Sequence, residues 1–99
     1  MLLVVISKTI IREFGLKHAD ANDALNDWFD TVSNADWSNL SDMKQTFNSV
    51  DYVGNERYVF NIKGNRYRLV TMIFLDIRTV FIRFIGTHAE YSKIDATTI

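Results

Sequence analysis

Arg57-Tyr58-Val59-Phe60-Asn61-Ile62, then Lys63-Gly64-Asn65, then Arg66-Tyr67-Arg68-Leu69-Val70-Thr71-Met72-Ile73-Phe74-Leu75: two runs rich in Val, Ile, Phe and Tyr flank a short turn. A third run, Arg78–Ile85, follows a tight turn around Asp76-Ile77. β-Branched and aromatic side chains suit a pleated surface, and Gly and Asn suit turns, so this half predicts a three-stranded antiparallel meander. Upstream the period changes. Ala21, Ala24, Leu25, Trp28, Phe29 and Val32 fall on one helical stripe, while Asp23, Asp27 and Asp30 face solvent; Asp20 is the expected cap. Shorter helices are expected from Ser7 as cap to about Phe14, stopped by Gly15, and from about Ser41 to Phe47. Leu2-Leu3-Val4-Val5-Ile6 reads as a buried strand, and Thr87 to about Ile94 as a short helix or extended tail. The order predicts an α+β domain, its N-terminal strand and helices packed on one face of a small, mainly antiparallel sheet.

Ninety-nine residues have room for one core, so residues 1–99 are expected to form a single domain. An apolar content of 47% with 23% charged residues excludes a disordered chain. The lack of cysteine excludes a disulfide framework and thiolate metal sites, and suits a reducing cytoplasm. The apolar start has no basic lead and no small-residue cleavage site, and it is too short to span a bilayer; no membrane role is expected. The net charge of −1 is unevenly spread. Residues 1–50 carry four basic and seven acidic side chains, residues 51–99 seven and five, so contact with a polyanion is expected in the second half.

Chemistry points to the same half. Arg66 and Arg68 share strand parity with Val70, Met72 and Phe74, which gives that face a basic edge. Arg83 lies between Ile82 and Phe84 in an apolar strand. An unpaired buried guanidinium is costly, so Arg83 calls for solvent, an ion pair with Glu56, Asp76 or Glu90, or an anionic ligand. Gly86-Thr87-His88-Ala89-Glu90-Tyr91-Ser92-Lys93 gathers a His, a Glu, a Tyr and a Lys, the groups that move protons near neutral pH. His18 reads as surface, Trp28 as core, and Trp37 as either core or partner-facing. Other chemistries lack their constellations. Gly64 stands alone rather than in a phosphate loop, two histidines seventy positions apart make no zinc site, and no serine sits in a nucleophile elbow. A metal-dependent or small-molecule enzyme therefore has no supporting pattern.

The stretch from Val59 to Val70, with its Lys63-Gly64-Asn65-Arg66-Tyr67-Arg68-Leu69-Val70 core, resembles the HigB family of toxins in the RelE superfamily. Gly86-Thr87-His88-Ala89-Glu90-Tyr91 resembles the motif that follows one hairpin later in that family. The resemblance implies a RelE-like domain that enters the ribosomal A site and cuts messenger RNA without metal or other cofactor. It also implies a HigA-like helix-turn-helix antitoxin, through which the toxin contacts operator DNA. By the same resemblance, Arg68 is the first candidate for the scissile phosphate, since a planar fork suits that oxyanion. His88 and Tyr91 are candidates for proton transfer, and Arg83 is a second phosphate ligand if it faces the same cleft. Lys63, Asn65, Arg66 and Lys93 are expected on RNA backbone or on ribosomal RNA. The alternative is a RelE-like binding module without cleavage, acting with a DNA-binding antitoxin as co-repressor.

Overall fold

The computed structural model describes residues 2–99. Its elements are β1 (Val4–Ile6), α1 (Lys8–Lys17), α2 (Ala19–Ser33), α3 (Leu40–Thr46), β2 (Asp51–Gly54), β3 (Arg57–Ile62), β4 (Tyr67–Phe74), β5 (Thr79–Thr87) and α4 (His88–Tyr91). All five strands form one sheet in the order β1-β5-β4-β3-β2. β2 to β5 pair antiparallel because each follows the last through a short turn. β1 pairs parallel with β5, which requires a crossover, and the three long helical segments supply it. The expected α+β architecture and meander are present, with β2 as an added edge strand.

Three helix-end expectations are not met. Gly15 does not end α1. It lies where α1 meets α2, and a Cβ there would come within 2.6 Å of Asn22 Oδ1, so its value is close approach. Ser7 is left-handed (φ 72°) and makes no side-chain cap. Asp20 does not cap α2 either, because the helix already begins at Ala19 and the carboxylate is used elsewhere.

The amphipathic stripe of α2 buries Ala21, Leu25, Trp28 and Val32 against Phe60, Leu69, Ile73, Val80 and Ile82 of the sheet. Trp28 meets Phe60 edge to face at 5.4 Å, and Phe47 meets the same ring at 5.2 Å. Burying each such side chain contributes about 1.5–3 kcal/mol, and Trp28→Ala, at the centre, would cost about 3–5 kcal/mol. Trp37 is buried as well, its Nε1 donating to Thr46 Oγ1 at 3.1 Å, so it belongs to the core and not to a partner surface.

The other sheet face carries a smaller cluster. Val59 and Val70 pack there with Phe84, Tyr91, Ile94 and Ala96, so α4 and the tail cross the sheet on the side away from α1–α3. One irregularity shapes this face. Val70 pairs with Phe84 and Thr71 with Ile82, leaving Arg83 as the extra residue of a β-bulge. Among the described residues, no helix is long and apolar enough to cross a membrane.

Candidate functional site

The site grows from the end of the sheet where β3, β4 and β5 finish together. Asn61 pairs with Arg68, and Arg68 with Gly86, so these three form one row on the face away from the long helices. The β3–β4 turn closes this row. Lys63 and Gly64 both have positive φ (54° and 65°), and Arg66 N–H returns to Lys63 O at 3.3 Å. Lys63 and Asn65 are thereby exposed at the tip. Asn61 Nδ2 donates to Asn65 Oδ1 at 3.1 Å, and Arg68 Nη1 donates to Asn65 O at 3.1 Å. Both bonds restrain the turn, yet Nε and Nη2 of Arg68 have no hydrogen-bond partner among the described residues. Half of a planar guanidinium fork is therefore left for an anion.

The second part is α4. Thr87 accepts Glu90 N–H at 3.1 Å through its hydroxyl, and Glu90 Oε1 accepts Thr87 N–H at 2.8 Å, a complete capping box. The Thr87 backbone bond first, and its side chain next, hold the Glu90 carboxyl below the usual carboxylate range. Glu90 is thus a cap that stays ionised, and a poor proton carrier near neutral pH. His88 N–H donates to Arg66 O at 3.2 Å, which docks the turn beside the start of β4. The His88 side chain is exposed, whereas Tyr91 is half-buried against the Val59–Val70 cluster. At a spacing of three, the two lie on adjacent positions of one helical turn. Gly86 lets these parts meet, since a Cβ there would lie 2.6 Å from the Phe84 ring and 3.1 Å from Glu90 Oε1.

The remaining candidates divide. Lys93 is exposed two residues beyond α4, with its N–H on Glu90 O. Arg66 does not join Arg68. It precedes the strand proper, and its Nη1 turns to Asp20 Oδ2 at 3.1 Å. Arg83 is exposed at its bulge, and its Nε donates to Ile99 O at 3.3 Å, the oxygen that also takes Arg57 Nη2 at 2.8 Å. Solvent and the Ile99 oxygen thus meet Arg83; no described Asp or Glu side chain pairs with it.

Two residues near the corner depart from the sequence reading, which put His18 on the surface and Asp20 at a helix cap. His18 is half-buried, stacked on Phe14 at 4.2 Å and edge-on to Tyr67 at 5.4 Å. Asp20 Oδ1 accepts the Tyr67 hydroxyl at 2.6 Å. That bond pushes the Tyr67 phenol up and, with Arg66, holds the Asp20 carboxyl down. The contacts with Tyr67 have no local signal, because it lies nearly fifty positions from His18 and Asp20.

A five-stranded mixed sheet with its long helices on one face, and an arginine and a histidine at one corner, defines a small α+β domain of the RelE-like class. The family model for HigB toxin, the RelE-like toxic component of a toxin-antitoxin system, matches residues 21–94, and the chain belongs to that family. It is 28% identical over 92 residues to the mRNA interferase HigB of Escherichia coli O6:H1, covering 91% of this chain and 89% of the relative. It is 33% identical over 69 residues to the mRNA interferase toxin HigB of Escherichia coli K12, covering 67% of this chain and 65% of the relative.

Proposed function

We propose that the chain is a ribosome-dependent endoribonuclease that cuts messenger RNA without metal, working in the cytoplasm under the control of a HigA-like antitoxin. The observation that carries this is the pairing of Arg68 with Gly86, which sets a half-free guanidinium beside the turn that bears His88 and Tyr91. The names of the relatives, mRNA interferases, support the same substrate.

In this reading the ribose 2′-hydroxyl loses its proton to a base and its oxygen attacks the adjacent phosphorus. The P–O5′ bond breaks, an acid protonates the leaving oxygen, and a 2′,3′-cyclic phosphate and a 5′-hydroxyl remain. Arg68 Nε and Nη2 meet the charge that grows on the phosphorane oxygens. The exposed His88 imidazole and the Tyr91 hydroxyl are the groups for the two proton transfers. Lys63, Asn65 and Lys93 hold RNA backbone around the corner. Arg83 is a weaker contributor, because the tail engages its Nε, and Arg66 is compensated by Asp20. The ribosome supplies the codon in a reactive geometry. The antitoxin silences the corner and carries the toxin to operator DNA.

Inducible expression in a bacterial host, with messenger 5′ ends mapped for wild type and Arg68→Ala, tests the reading. Growth arrest with in-frame cuts is expected for wild type, and loss of both, by about a hundredfold or more, for the variant. Soluble wild type that causes neither arrest nor cuts would refute the nuclease and leave the co-repressor.

A further inference from the structure

Asp20 takes no part in the chemistry above, yet it touches the strand that carries Arg68. We propose that Asp20 is a positioning residue for the cleavage corner, acting through Tyr67 and Arg66; the proposal rests on the nuclease reading.

One carboxylate grips two consecutive residues, Oδ1 on the Tyr67 hydroxyl at 2.6 Å and Oδ2 on Arg66 Nη1 at 3.1 Å. Both directly precede Arg68 in the chain, and both also hold α4. Arg66 O accepts the His88 N–H, and Tyr67 pairs with Thr87, the cap of α4. The backbone from Arg66 to Arg68 thus carries the arginine on one side and receives the histidine turn on the other. Asp20 anchors that segment to the long-helix layer.

The anchor is stiff where it matters. Tyr67 is 6% exposed, and its ring meets Phe14 at 5.2 Å and His18 at 5.4 Å, both edge-on. A hydroxyl on so buried a ring needs its acceptor, and an ionised acceptor binds it more strongly than a neutral one. The Arg66 arm is exposed and contributes less to rigidity. Its effect is on charge: Asp20 compensates Arg66, so Arg68 is the stronger cation at the corner. Removing Asp20 therefore has two separable consequences. The corner loosens, which lowers turnover, and Arg66 is released toward the polyanion, which keeps substrate binding from weakening.

Purified wild type, Asp20→Ala and Tyr67→Phe are compared on ribosomes programmed with a defined messenger, and by native-state amide hydrogen exchange. In both variants kcat is expected to fall about tenfold without a rise in KM, the scale of one charge-assisted hydrogen bond. The His88 amide should exchange about tenfold faster while Val80 and Ile82, in the core, keep their protection. Tyr67→Phe retains the ring and its packing, so it reports the hydrogen bond even if Asp20→Ala fails to fold. Unchanged kcat, or His88 exchange that rises only in step with Val80, would overturn the proposal. If wild type cuts no messenger but the exchange pattern appears, the anchor stands and the nuclease reading falls; cutting without the pattern sinks the anchor alone.

Discussion

Replacing Gly86 by alanine should damage stability and the corner together. The added Cβ would lie 2.6 Å from Phe84 Cζ and 3.1 Å from Glu90 Oε1. Ordinary contact begins near 3.4 Å, so the ring must retreat by about 1 Å from a face already packed with Val59, Val70 and Tyr91. Glu90 Oε1 is the atom that holds Thr87 N–H, so relief of the second contact breaks the capping box. Overpacking costs about 1–3 kcal/mol and the lost cap about 1 kcal/mol more, about 2–4 kcal/mol in all. For a domain of this size that lowers Tm by about 10–20 °C. Urea unfolding, with the midpoint and slope fitted separately, measures the loss, and the same protein is assayed for messenger cleavage. Gly64→Ala is the control. Gly64 has φ +65° and nothing within 4 Å of its added Cβ, so only the backbone penalty of about 1–2 kcal/mol applies. Gly86→Ala within about 0.5 kcal/mol of wild type, or no worse than Gly64→Ala, would refute the steric argument.

Arg83→Ala should reduce cleavage less than Arg68→Ala, by about tenfold at most, because the tail already engages Arg83 Nε. Equal losses measured side by side would place both guanidinia on the phosphate. Stability should also depend on pH at both ends of the range. The folded-state titrations of Asp20, Glu90 and Asp95 are depressed by their hydrogen bonds, so their contribution is present above the ordinary carboxylate range and lost as pH falls through the folded values. Tyr67 is raised by Asp20, so its contribution is full below the ordinary phenol range and lost as pH climbs through the folded value. Thermal melts should show Tm falling in acid and again in strong alkali, with Tyr67→Phe flattening the alkaline limb; an unchanged limb would disprove that link.

The meander was legible because Val, Ile, Phe and Tyr recur at strand spacing through Ile85. The α2 stripe was legible for the equivalent helical reason, and Trp28 and Val32 lie where that stripe puts them. β2 escaped, since four residues with Asp51 and Gly54 at the ends carry too little alternation. Asp20 has the composition and place of a helix cap, and only the distant Tyr67 and Arg66 make it something else. Strict alternation likewise has no place for a bulged residue, and Arg83 is one. The corner residues were legible as a motif, but their arrangement was not. That Arg68 keeps two nitrogens free while Arg66 does not follow it is a fact of tertiary contacts.

The strand made first is completed by the strand made last. Val4 bonds into the sheet opposite Thr79, seventy-five positions later, and the row of Asn61, Arg68 and Gly86 closes with the final strand as well. Such distant pairing is slow to form, because a long loop must close before any contact rewards it. During synthesis, therefore, β1 waits without its neighbour, and the corner does not exist until the turn bearing His88 has followed. A product broken off before Thr79 carries neither a finished sheet nor a reactive corner. In a family of toxin components, the pairing of β4 with β5 thus makes the corner depend on late-synthesised residues: without Gly86 and the turn after it, Arg68 has no neighbouring histidine.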